Sequence, residues 1–89
     1  MSEKRLDDPG LRAVVNDHAD AMRERLAANS GKYGWERMTP GQHLRRLKQE
    51  VGELTRALER GESVERIRKE AADVSNFAAF LAATYEVKS

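Results

Sequence analysis

TPGQHLRRLKQEVGELTRALERGESVERIRKEAADVSNFAAFLAATY, residues 39–85, decides the fold. Thr39-Pro40-Gly41-Gln42 is a helix start: threonine caps, proline sits first, and glutamine three residues on can complete a capping box. Leu44, Leu47, Val51, Leu54 and Leu58 follow as a seam with steps of three and four. Gly61 is placed to terminate that helix and Ser63 to cap the next. Val64, Ile67, Ala71, Val74, Ala78 and Leu81 then form one stripe, widened by Phe77 and Phe80, in a helix running to about Tyr85. With only about two residues between them, the two helices are expected to pack as an antiparallel hairpin, each about 30 Å long.

Upstream, Asp8-Pro9 reads as a cap followed by proline at the first helical position. Leu11, Val14, Val15, His18, Met22 and Leu26 continue at helical spacing, and Asn29-Ser30-Gly31 ends this first helix. Residues 32–38 have no clear period and read as a connection. Residues 1–7 are polar and are expected to be a flexible N-terminus, with a single all-α domain over 8–86 and a tail at 87–89. Three helices with wide apolar stripes leave surface to cover. The remedy predicted here is a homodimer in which two such three-helix protomers share a four-helix-bundle-type core.

Composition narrows the class of protein. Eighty-nine residues make one domain at most. No cysteine is present, which excludes disulfides and thiolate metal sites and fits a cytoplasmic protein. No apolar run approaches the roughly 18 residues of a membrane span, and the charged N-terminus does not read as a signal peptide. Sixteen basic residues against fifteen acidic ones give a net charge of +1. That balance argues against nucleic acid as a partner. His43, Arg45, Arg46 and Lys48 form a local basic cluster, read as a solvated face.

The chemistry lies in the acids. Glu50 and Glu53 are neighbours on one helical face, and Glu70 and Asp73 repeat the arrangement on the next helix. Glu70 falls inside the apolar arc between Ile67, Val74 and Phe77, where a carboxylate is costly unless paired or bound to metal. Glu50 lies eleven residues before Gly61 and Glu70 nine after it, so the hairpin brings both pairs to nearly one level. Four converging carboxylates need a cation, and hard oxygen ligands select Mg²⁺, with Mn²⁺ as a substitute. The competing reading is a set of intrahelical ion pairs: Arg46 with Glu50, Arg66 with Glu70 and Lys69 with Asp73. A di-iron bundle requires Glu-x-x-His, and neither histidine has a glutamate three residues before it.

Glu50-Val51-Gly52-Glu53-Leu54, a spacer of sixteen residues after Glu53, and Glu70-Ala71-Ala72-Asp73-Val74-Ser75-Asn76 together resemble the MazG-like, all-α nucleoside triphosphate pyrophosphatases. The likeness spans roughly residues 11–85. It implies Mg²⁺ held by Glu50, Glu53, Glu70 and Asp73. It also implies cleavage of a nucleoside or deoxynucleoside triphosphate to the monophosphate and pyrophosphate, and assembly as a dimer or a dimer of dimers. The chain departs from longer members in having no room for a substantial fourth helix.

Such a reaction asks mostly for positioning and charge neutralisation, with a metal to clamp phosphate oxygens and bring in a water. Glu53, farthest of the four from the apolar seam, is the expected acceptor of the water's proton. Lys32 is a candidate phosphate contact, and Trp35 and Tyr33 are candidates to stack on the base. Trp35 could equally plug the edge of the core. His18 is a core residue or, as the resemblance suggests, a contact to the base. Asn76, one turn past Asp73, could assist a metal-bound water or a phosphate. The alternative to an enzyme is a non-catalytic helical dimer acting as a nucleotide-binding or regulatory module.

Overall fold

A computed structural model of the chain describes residues 8–29 and 34–88. It is all-helical, with no strand among these residues. Helix α1 spans Pro9–Ala28, a 3-10 turn follows at Trp35–Arg37, and helices α2 and α3 span Pro40–Glu59 and Val64–Lys88. The expected flexible stretch 1–7, Lys32 and Tyr33 lie outside the described residues.

The helix ends follow local chemistry. Asp8 accepts from the backbone N–H groups of Gly10 and Leu11 at 2.8 and 3.3 Å. Thr39 and Gln42 form the full capping box. Gly61, at φ +65°, turns the chain out of α2: its N–H reaches the Leu58 carbonyl and that of Glu62 reaches Ala57. This two-bond closure needs a left-handed residue, which glycine adopts without strain. Ser63 Oγ accepts from Arg66 N at 3.1 Å and opens α3. That helix continues through Val87 and Lys88, past the predicted end near Tyr85, because no glycine or proline stops it.

Helix α3 is the centre, packed against both α2 and α1. Along α2, His43 lies against Phe77 and Phe80, while seven residues later Glu50 feels the charges of Asp73 and Glu70. Advancing on α2 therefore means retreating on α3, which is consistent with the expected antiparallel pairing. Helix α1 instead crosses α3 steeply. Arg68 alone reaches Asp17 and Glu24, two turns apart on α1, whereas His18 and Arg25, also two turns apart, meet Ser75 and Asp73.

The rows that are buried differ from the seams read in the sequence. On α2 the row facing α3 is His43, Leu47, Glu50, Leu54 and Ala57, which shares Leu47 and Leu54 with the leucine seam but takes His43, Glu50 and Ala57 in place of Leu44, Val51 and Leu58. His43, expected on a solvated basic face, is fully buried, since the phase set by the Thr39 cap turns it toward the α3 aromatics. Leu44, Val51 and Leu58 keep 41%, 45% and 60% of their surface exposed. On α3, Glu70, Ala72, Asn76, Phe77, Phe80 and Thr84 are buried, while Val64, Ile67, Ala71, Val74, Ala78 and Leu81 are not. Leu11, Val14 and Val15 are likewise exposed on the outer half of α1. The radius of gyration is 14.7 Å, against about 12 Å for a compact domain of this length.

Candidate metal centre

Glu50 of α2 and Glu70 and Asp73 of α3 converge. Each offers a carboxylate oxygen, and all three oxygens lie within 4.8 Å of one another. The phase that buries Ala57 and His43 on α2 turns Glu50 inward, and the row through Phe77 and Phe80 on α3 carries Glu70 and Asp73 with it. Glu70 is buried, and the side chains of Glu50 and Asp73 are 15% and 13% exposed. Burial pushes the Glu50 carboxyl above its usual range. The charge of Asp73 adds to this, Arg46 opposes it, and Glu70 adds a further upward push. Glu53 stays outside this group, half exposed, with its carboxylate 3.0 Å from Arg56.

Every clustered carboxylate meets an arginine. Arg46 lies 3.4 Å from Glu50 and Arg66 2.9 Å from Glu70, the two intrahelical pairs expected from spacing. The predicted Lys69 partner is replaced by Arg25 of α1, whose Nε and Nη2 donate to the two Asp73 oxygens at 2.9 and 3.1 Å. Arg25 was not singled out in the sequence. Its signal is that it continues the His18–Met22 row, three residues after Met22, where an apolar residue would be expected. Arg25, Asn29, Arg46, Glu50, Asp73 and Phe77 line an open cleft of about 130 Å³ beside the cluster. The Arg46 guanidinium sits 4.8 Å from the centre of the Phe77 ring.

The other candidates hold the helices together. Trp35 stacks on Phe80 with centroids 5.3 Å apart and planes 10° from parallel. Its carbonyl accepts from His43 Nε2 at 3.0 Å, which leaves His43 Nδ1 buried without a partner. His18 Nε2 lies 2.7 Å from Ser75 Oγ, and Asn76, 1% exposed, donates its amide to the Met22 carbonyl. These three residues join α3 to its neighbours and do not line the cleft.

The donor set is chemically suited to a hard divalent cation: carboxylate oxygens only, with one carboxyl already penalised by burial and by like charge. An octahedral shell with bonds of about 2.1 Å requires ligand oxygens roughly 3–4 Å apart. The three oxygens, within 4.8 Å of one another, would have to draw together and share or leave their arginine partners to form such a shell. Water would fill the remaining positions and be activated there. No protein-family model, curated protein or solved structure matches the chain.

Proposed function

We propose that the chain is a Mg²⁺-dependent nucleoside triphosphate pyrophosphohydrolase of the MazG-like kind, built on an antiparallel α2–α3 hairpin. The observation that carries this reading is the convergence of Glu50, Glu70 and Asp73 from two helices, with Glu70 buried. These three residues would hold the cation, which polarises phosphate oxygens and lowers the pKa of a bound water. Glu53, one turn from Glu50 and half exposed, is the carboxylate left to complete the metal's outer coordination and take the water's proton. Lys32 and Tyr33 remain candidate contacts to phosphate and base. Asn76, buried and bonded to Met22, is poorly placed to meet a nucleotide, while Trp35 and His18 are half-buried and remain candidates.

The homodimer belongs to the same reading. Leu44, Val51 and Leu58 on α2, Val64 and Tyr85 on α3, and Leu11, Val14 and Val15 on α1 are large apolar side chains left exposed. Of the predicted α3 stripe, Val64 and Ala78 are exposed and Ile67, Ala71, Val74 and Leu81 are half-buried. A second copy covering these rows completes a four-helix-type core.

The arginine on each clustered carboxylate favours one alternative, a non-catalytic helical dimer in which the acids form an ion-pair network. Incubation with a panel of nucleotides and Mg²⁺, with products separated, distinguishes the two. The enzyme releases pyrophosphate from at least one nucleoside triphosphate, and chelation stops it. Orthophosphate as the sole product moves cleavage to another bond, and no turnover on any nucleotide favours the network.

A further inference from the structure

Two of the three arginines that hold the cluster also line its cleft, and the two are held differently. Arg25 grips Asp73 as a fork, one nitrogen on each oxygen at 2.9 and 3.1 Å. Arg46 makes a single longer contact of 3.4 Å to Glu50, is 47% exposed, and lies over Phe77. A guanidinium and a divalent cation compete for the same carboxylate lone pairs. A cation at the cluster also repels both arginines at short range. Arg46 can turn away while its stem stays on the ring, and Arg25 can swing about its own χ angles from α1. Both ends of that movement lie in one cleft, whose other polar lining is Asn29.

We propose that Arg25 and Arg46 are exchange partners: a divalent cation displaces them from Asp73 and Glu50, and they then bind the phosphate oxygens of a di- or triphosphate seated in the same cleft. This inference rests on the metal-site reading above and assigns the anion-binding residues of that site. The ligand class follows from the charges. Without the cation, an anion entering the cleft meets Glu50 and Asp73 and is repelled. With it, two planar guanidiniums and a metal stand side by side, matched to adjacent phosphates rather than to a single small anion. Charge pairing is conserved throughout, as the cation takes the carboxylates and the anion takes the arginines. Cation and anion therefore bind with positive coupling, each raising the other's affinity by the same factor.

The test uses Mn²⁺ alone and inorganic pyrophosphate at fixed free Mn²⁺, on the parent and on Arg25→Gln and Arg46→Gln, with solution complexes of the two probes accounted for. Each variant removes a competitor of the cation and a partner of the anion. Mn²⁺ affinity is expected to rise, and pyrophosphate affinity to fall by about tenfold or more, the scale of one charge-assisted hydrogen bond. A purely structural arginine would weaken both ligands together. Mn²⁺ binding to the parent with affinity unchanged or lowered in the variants overturns the exchange and leaves the metal site standing. No Mn²⁺ binding to the parent overturns both. If Arg25→Gln does not fold, Arg46→Gln decides, because its side chain is half exposed and its loss removes one long contact to Glu50 and the stacking of the guanidinium on Phe77.

Discussion

Replacing Asp73 by asparagine perturbs two roles at once, and the structure gives the size of each. The Arg25–Asp73 pair is two hydrogen bonds of 2.9 and 3.1 Å between side chains 29% and 13% exposed. A hydrogen bond to a charged group contributes about 1.5–3 kcal/mol, and a fully exposed ion pair about 0–1 kcal/mol. Intermediate exposure puts the pair near 2 kcal/mol on this scale. Asparagine keeps one acceptor, and Glu50 loses the like charge of Asp73 that raises its pKa. Both effects offset part of the loss, leaving a net cost of about 1 kcal/mol. For a domain of this length that lowers the melting temperature by about 4–8 °C. Melting curves recorded in chelator at fixed protein concentration measure it. Mg²⁺ at 100 times its Kd should then stabilise the parent by about 2.7 kcal/mol, roughly 11–22 °C, and the variant far less. A variant as stable as the parent in chelator would show that this pair does not dock α1 on α3. A variant that gains as much from Mg²⁺ as the parent would refute Asp73 as a ligand.

Glu50→Gln tests the pH dependence. The folded-state pKa of Glu50 is raised, chiefly by burial. The parent in chelator should therefore lose stability as pH rises from about 4.3, the usual unfolded value, through the folded value. The variant should escape that decline, being more stable near neutrality and no better below the unfolded value; parallel stability–pH curves would contradict it. For the dimer, the melting temperature should rise with protein concentration, and Leu58→Glu, at a side chain 60% exposed, should abolish that dependence while leaving the helices formed. A folded monomer of the parent at micromolar concentration in sedimentation would remove the dimer.

The helix boundaries were legible because their causes are local. Thr39 and Gln42 cap each other across three residues, and Gly61 supplies the left-handed turn that closes α2. Register was not legible in the same way. Helix α2 carries two overlapping rows that share Leu47 and Leu54, and hydrophobicity alone selects the one completed by Leu44, Val51 and Leu58. The protomer turns the other row, completed by His43, Glu50 and Ala57, inward, with His43 against Phe77 and Phe80 and Glu50 beside Asp73 and Glu70 of α3. The choice depends on what α3 presents, which no window along α2 contains. Glu50, Glu70 and Asp73 could be found because they sit at similar distances from Gly61 on the two arms of the hairpin, whereas Glu53, on the same count, stays outside the cluster beside Arg56. Arg25 could not be paired with Asp73 from spacing, since 48 residues separate them and the contact exists only because α1 crosses α3 steeply.

These two departures from the local pattern meet in one place. The protomer turns the more polar of the α2 rows inward, and there it accepts a carboxylate whose charged form burial disfavours. A chain selected for stability alone would place the leucine row in that interface and keep Glu50 in solvent. Local rules are broken most often where function requires it. The break here brings three carboxylates together beside a cleft that two arginines line, and leaves Leu44, Val51 and Leu58 of α2 exposed.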